Sequence, residues 1–424
     1  MRTHSLTGRR TVLAALSACL VTPLIAGAQP SDANRDEALV GAYTLPDPLR
    51  MANGQMVTDA ATWHNKRRPE LLRLFRDHIY GNAPTAPAYM RAEPVEAPTP
   101  ALNGKAIRQQ VRLHFSDQPK GPKLDLLIYL PAHVPHAPVF VGLNFMGNQA
   151  VHADPAIQVS EAWLNRGTGI VDNRATEASR GAEAASWPLE DLIAAGYGVA
   201  TFTAGDIYPD GKDKFNESLQ PFFQTREDDP ARWGALATWA WGLSHVYDHL
   251  ATLPQIDARR IILVGHSRYG KAALWAGAAD ERFSMVISNN SGEGGASLFR
   301  RNYGETVTHL PAYWFAPRFK SYVGRVNELP VDQHELIALI APRPVYITSA
   351  TEDWWADPRG EFLAAKAAQP VYRLLGVNDL KLKNFPEPDI PVQGRIAYHL
   401  RTGPHAITPY DWANFIRFAD QQLK

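Results

Sequence analysis

A serine hydroxyl becomes a useful nucleophile when a sharp turn between strand and helix lifts it beside a base and beside unpaired backbone N–H groups. The stretch Arg260-Ile261-Ile262-Leu263-Val264-Gly265-His266-Ser267-Arg268-Tyr269-Gly270-Lys271 has the makings of such a turn. Its apolar, β-branched half reads as a strand, and the small residues from Ala272 to Gly277 read as a helix. Gly265 lets the turn close, and the helix start just past Ser267 offers free donors to a developing oxyanion. The fit to Gly-x-Ser-x-Gly is imperfect, because Tyr269 holds the last glycine position and Gly270 comes one residue later. The plainer alternative is an ordinary βα turn.

A base and an acid should follow Ser267 in chain order. His405 sits on the loop Thr402-Gly403-Pro404-His405, after the last expected strand and before a final amphipathic helix carrying Trp412, Phe415, Ile416 and Phe418. The acid should come from the loop Thr351-Glu352-Asp353-Trp354-Trp355-Ala356-Asp357-Pro358, behind the strand Val345–Ser349. From there a carboxylate can accept the Nδ1–H of the histidine and fix its tautomer. Asp353 is best placed. Asp357, next to Pro358, suits the cap of the following helix, and Glu352 suits solvent or a cap. His245 and His249 stand four apart on an expected helix, but no His-Glu-x-x-His and no third ligand accompanies them, so they read as polar helix positions. No phosphate loop or dinucleotide fingerprint is present, and no metal or cofactor is expected.

These side chains need a scaffold. Apolar runs at Pro138–Phe145, Tyr197–Phe202, Ile261–Val264, Met285–Ser288 and Val345–Ser349 interleave with helical segments at Leu189–Ala195, Trp233–Leu253, Lys271–Ala279 and Pro358–Ala368. Buried strands alternating with helices predict a mostly parallel sheet covered on both faces. Ala106–Phe115 and Lys123–Leu130 alternate and predict an antiparallel edge, preceded by a helix over Ala60–Ile79 and an extended proline-rich connector from Pro94 to Pro100. The expected architecture is an α/β-hydrolase, a three-layer α/β sandwich with an antiparallel N-terminal edge. Ligands then lie beyond the carboxyl ends of the strands, where Ser267 falls.

The chain has 424 residues, 45% hydrophobic and 20% charged, with a formal net charge of +0. That is ample for a large core and gives no reason to expect a nucleic-acid or membrane partner. Arg9 and Arg10 precede an apolar stretch from Val12 to Ala26, and Ala26-Gly27-Ala28 reads as a cleavage site. Residues 1–28 are therefore expected to be a signal peptide, of general secretory or twin-arginine type, and the protein to be periplasmic or secreted. Residues 29–45 read as a flexible lead-in and 46–424 as one catalytic domain. The single cysteine, Cys19, falls inside the expected signal, so disulfides and thiol chemistry are not expected of the mature chain.

Gly265-His266-Ser267-Arg268-Tyr269-Gly270-Lys271 resembles the Gly-x-Ser-Arg-x-Gly-Lys motif of the glucuronoyl esterases, carbohydrate esterase family 15. The resemblance accounts for the displaced glycine. Trp187-Pro188-Leu189-Glu190, Gly205-Asp206-Ile207-Tyr208-Pro209-Asp210, Asn289-Asn290-Ser291-Gly292-Glu293-Gly294-Gly295 and Asp353–Pro358 extend it from about His78 to the C-terminal helix. It implies hydrolysis of the ester between (4-O-methyl-)D-glucuronic acid of xylan and lignin alcohols, with a small-molecule or polysaccharide uronate ester as substrate; a monomer is expected. It makes Ser267 the nucleophile and His405 the base, and places Arg268 beside the oxyanion. Lys271 and Glu305 would bond sugar hydroxyls, and Trp355 would border the ring. Fungal members carry their acid where this chain has Asn290, so the acid is expected from the later loop at Asp353, with Glu293 a weaker substitute. Two rivals remain: an acetyl-xylan or other carbohydrate esterase on the same scaffold, and a non-catalytic carbohydrate-binding relative.

Overall fold

The β-branched and aromatic runs form the strands of one large sheet. The computed structural model describes residues 30–87, 89–378 and 381–423, so the expected signal segment, residues 1–28, lies outside the described residues. In chain order the strands are β1 (Arg91–Ala101), β2 (Ala106–His114), β3 (Lys123–Pro131), β4 (Ala137–Asn144), the two-residue strands β5 (Ile170–Val171) and β6 (Arg174–Ala175), β7 (Gly198–Thr203), β8 (Ile256–His266), β9 (Met285–Asn289), β10 (Val345–Ala350) and β11 (Ile396–Arg401). Nine of them make the main sheet in the order β1-β2-β3-β7-β4-β8-β9-β10-β11, and β5 with β6 make a separate hairpin. The pairs β1–β2, β2–β3 and β3–β7 are antiparallel. Every pair from β7 to β11 is parallel.

Period-two alternation divides the strand side chains between two cores. Ile261 and Leu263 of β8 point into one core, built with the helices Ala235–Leu250, Arg268–Ala279 and Pro358–Ala367. Ile262 and Val264 point into the other, with the helices Leu189–Ala194 and Pro409–Leu423. This is the mostly parallel sheet with helices on both faces that the sequence predicts. Among the described residues no helix is long and apolar enough to cross a membrane.

Three local expectations change. The proline-rich segment is not a connector but strand β1, paired to β2 with register shifts between Pro94 and Glu96 and between Glu96 and Thr99. Proline lacks the N–H a central strand needs, and an edge strand with bulges tolerates that loss. The segment expected as a flexible lead-in lies against the body. Asn34 Nδ2 donates to the Asn302 carbonyl at 2.6 Å, Gly304 N–H donates to the Asn34 carbonyl at 2.8 Å, and Glu37 pairs with Arg301. His245 and His249 are buried rather than set on a polar face: His245 Nδ1 meets Asp248 Oδ2 at 2.6 Å, and its ring packs 4.1 Å from that of Trp241.

Candidate active site

Strand β8 ends at His266, and the helix Arg268–Ala279 begins one residue after Ser267. Ser267 takes up the whole reversal, with φ 57° and ψ −131°, a conformation that non-glycine residues seldom hold. Two glycines make the turn possible. A Cβ at Gly265 would stand 2.1 Å from the Tyr269 carbonyl oxygen, and one at Gly270 would stand 2.9 Å from Ser291 Cβ and 3.1 Å from the Gly265 carbonyl oxygen. The displaced glycine thus answers a steric need of its own. Ser267 N–H donates to the Asn289 carbonyl at 2.8 Å, which ties the turn to β9, and Ser267 is half-buried.

His405 stands on the loop between β11 and the last helix, and that loop is pinned on both sides of the ring. Arg401 Nη2 donates to the carbonyls of Pro404 at 2.7 Å and Ala406 at 3.1 Å. Gly403 N–H donates to Thr351 Oγ1 at 3.0 Å, which joins this loop to the one after β10. The His405 ring is partly exposed and lies 4.6 Å from the ring of His266, the residue before Ser267. Its Nδ1 meets Asp353 Oδ2 at 2.6 Å. Asn290 Nδ2 donates to the same Asp353 oxygen at 2.8 Å. Burial alone would raise the Asp353 carboxyl, but attraction to His405 and the hydrogen bonds from His405 and Asn290 outweigh it and hold the pKa below the usual 3.8. Desolvation, with His405 alongside, pushes His266 well below the usual histidine value.

The other acids stand elsewhere. Glu352 is exposed. Asp357 caps the helix Pro358–Ala367 by accepting from Gly360 N–H at 3.0 Å, and it also pairs with Arg301 at 2.9 Å; burial raises it to about 6. Glu293 is buried, its carboxylate has no hydrogen-bond partner among the described residues, and burial raises it well above its usual value.

Two cations on the helix that starts after Ser267 are fixed. Lys271 is 3% exposed and donates to Glu305 Oε2 at 2.7 Å and to the Glu293 carbonyl. Glu305 N–H donates to the Trp355 carbonyl at 2.8 Å, and the Trp355 ring lies 5.1 Å from that of His309. Lys271, Glu305 and Trp355 therefore form one connected wall. Arg268 donates to Asp210, with its guanidinium 5.6 Å from the Phe145 ring and 5.4 Å from the Trp314 ring.

Four side chains here escaped the sequence reading as site residues: Asp210, Tyr313, Trp314 and Glu183. Asp210 stood inside a motif that matched, but nothing local marked its partners. Glu183 Oε2 accepts the backbone N–H groups of Phe145 at 3.3 Å and Met146 at 3.2 Å, on the loop after β4, and burial pushes it up to about 7. In hydrolases of this architecture a loop near this point supplies one oxyanion donor. Here these two N–H groups are turned to Glu183, and Arg268 covers the adjacent Phe145 ring. Among the described residues no group of three or more His, Cys, Asp or Glu could hold a metal ion. The arrangement suits acyl transfer by a serine, with the negative charge taken up by a guanidinium and backbone donors at the helix start.

Comparison with known proteins places the chain in a family. A family model described as "Glucuronyl esterase, fungi" matches residues 180–376. The chain is 47% identical over 405 residues to a carbohydrate esterase from an unknown prokaryotic organism, covering 93% of each. It is 30% identical over 270 residues to 4-O-methyl-glucuronoyl methylesterase 1 of Wolfiporia cocos, covering 59% of this chain and 65% of the relative. Among solved structures, a promiscuous esterase of carbohydrate esterase family 15 from a marine bacterial metagenome superposes with TM-score 0.87 at 47% identity, over 92% of this chain and all (100%) of the other. A glucuronoyl esterase from Solibacter usitatus superposes with TM-score 0.86 at 44% identity, over the same shares, 92% and 100%. The chain is a carboxylic ester hydrolase of the α/β-hydrolase fold and belongs to the glucuronoyl esterases, carbohydrate esterase family 15.

Proposed function

We propose that this esterase cleaves the ester joining (4-O-methyl-)D-glucuronic acid side groups of xylan to lignin alcohols. Ser267 attacks the uronate carbonyl while His405 Nε2 takes its proton. Asp353 holds Nδ1–H, keeps the ring in that tautomer and stabilises the imidazolium. The oxyanion receives the Arg268 guanidinium and the free N–H groups at the start of the helix Arg268–Ala279. His405 then protonates the departing alcohol, and water activated by the same ring releases the acid from Ser267. Lys271 and Glu305 bond the sugar hydroxyls, and Trp355 borders the ring. The protein works as an exported monomer, its catalytic unit running from 46 to 424.

The observation that carries this reading is the hydrogen-bonded line Asn290–Asp353–His405, which ends beside the strained Ser267 turn. A relative named a 4-O-methyl-glucuronoyl methylesterase supports the uronate as the acyl part. The test compares benzyl glucuronate with an acetate ester on the wild type and on Ser267→Ala. The expected result is a much higher kcat/KM on the glucuronate and loss of both activities in a folded Ser267→Ala. Preference for the acetate would favour a general carbohydrate esterase. Breadth across esters would match the 47% identical structure described as promiscuous.

A further inference from the structure

Asp210 takes no part in the proton path, yet donors from three other segments converge on its carboxylate. It is 7% exposed. Tyr313 Oη donates to Oδ1 at 2.8 Å and Trp314 Nε1 donates to the same oxygen at 2.9 Å. Asn165 Nδ2 donates to Oδ2 at 3.1 Å and to the Asp210 carbonyl at 2.8 Å. Arg268 Nη1 completes the set on Oδ2. A buried carboxylate with this many donors keeps its orientation. The indole that Asp210 fixes through Nε1 lays its face 5.4 Å from the guanidinium carbon, and the Phe145 ring stands 5.6 Å from that carbon.

An arginine side chain has many rotamers, and an oxyanion donor works only if it is set before charge develops. The demand on Arg268 is sharpened by Glu183, which occupies the N–H groups of Phe145 and Met146. Arg268 Nε, by contrast, is buried and has no acceptor among the described residues.

We propose that Asp210 is a positioning residue for the reaction: clamped by Asn165, Tyr313 and Trp314, it presets the Arg268 guanidinium against the transition-state oxyanion. This rests on the reading of Arg268 as an oxyanion donor. Lys271 has its own hydrogen-bond anchors in Glu305 and the Glu293 carbonyl and shares with Arg268 only the Trp314 face, 5.6 Å away, so sugar binding should depend on Asp210 far less than kcat does.

The experiment is a double-mutant cycle on benzyl glucuronate with the full chain, using Asp210→Asn, Arg268→Gln and both together. Asp210→Asn should lower kcat about 10- to 100-fold, below the ~100- to 1,000-fold typical of removing an oxyanion donor outright, with KM changed less than about threefold. In the Arg268→Gln background the same change should cost no more than about twofold. Equal losses in the two backgrounds, or wild-type kcat in Asp210→Asn, would overturn the proposal. Wild-type kcat in Arg268→Gln alone would remove the oxyanion reading itself, and the proposal with it. If near-UV circular dichroism shows Asp210→Asn unfolded, Tyr313→Phe decides, since it removes one clamp and leaves the carboxylate. A kcat loss of a few fold confined to the Arg268 background supports the clamp, and a loss in both backgrounds or in neither overturns it.

Discussion

The proton path to Ser267 and the cations on the helix that follows it are built in opposite ways. On the proton side a single line of hydrogen bonds runs from Asn290 through Asp353 to a partly exposed imidazole. On the charge side Arg268 and Lys271 are held by carboxylates, a carbonyl and aromatic faces from several loops. A ring that must take a proton from one oxygen and give it to another needs access and some freedom, and one bond at Nδ1 is enough to set its tautomer. Cations that must be in place before charge develops need the reverse, because any reorganisation at that moment adds to the barrier.

That contrast can be broken at several points. Asp353→Asn should have the largest effect of these. The amide can no longer hold the required tautomer, and kcat should fall about 10⁴-fold in a folded protein. Asp357→Asn is the control, because its carboxylate caps a helix and pairs with Arg301. It should cost stability in a melting experiment and leave kcat within about threefold. If Asp357→Asn loses far more activity than Asp353→Asn, the acid is misassigned.

On the charge side, Arg268→Gln should lower kcat about 100- to 1,000-fold with little change in KM. Trp355→Ala should act through binding instead, raising KM for the glucuronate about fivefold, as the loss of an aromatic contact worth ~1 kcal/mol predicts. A kcat effect from Trp355 larger than that from Arg268 would erase the division between the two roles.

The smallest effect concerns the layer beneath the acid. Glu361 is fully buried and accepts from Ser291 N–H at 2.8 Å, Gly292 N–H at 2.9 Å and Ser349 Oγ at 2.6 Å. Burial outweighs these bonds and raises its pKa from 4.5 to about 8. An acid whose folded pKa lies above its unfolded value binds its proton more tightly when folded. Its contribution to stability is complete below 4.5 and is lost as pH rises toward about 8. Glu361→Gln keeps the shape and removes the titration, so the fall in melting temperature between those limits should flatten. An unchanged pH profile would mean that Glu361 is ionised throughout.

What the sequence makes legible is whatever a short window encodes. The β-branched runs of β4, β8 and β10 and the small-residue helix after Ser267 announce the sheet and the turn, and His405 is marked by its glycine-proline loop. Strand β1 is not legible, because its prolines argue against a strand until the sheet shows it at the edge. The docking of residues 30–45 is hidden for the opposite reason, since polar contacts such as Asn34 to Asn302 carry no hydrophobic pattern. The holders of Arg268 are hidden by distance along the chain: Asp210 and Trp314 are 104 residues apart and meet only because two loops close over the same turn.

The most direct test of the central claim is covalent labelling of the active enzyme with a fluorophosphonate, followed by peptide mapping. One label per chain is expected on the peptide carrying Ser267, none on Ser267→Ala, and markedly slower labelling of Asp353→Asn. An active enzyme that labels on a different serine, or that stays unlabelled while it turns over the glucuronate ester, would contradict it.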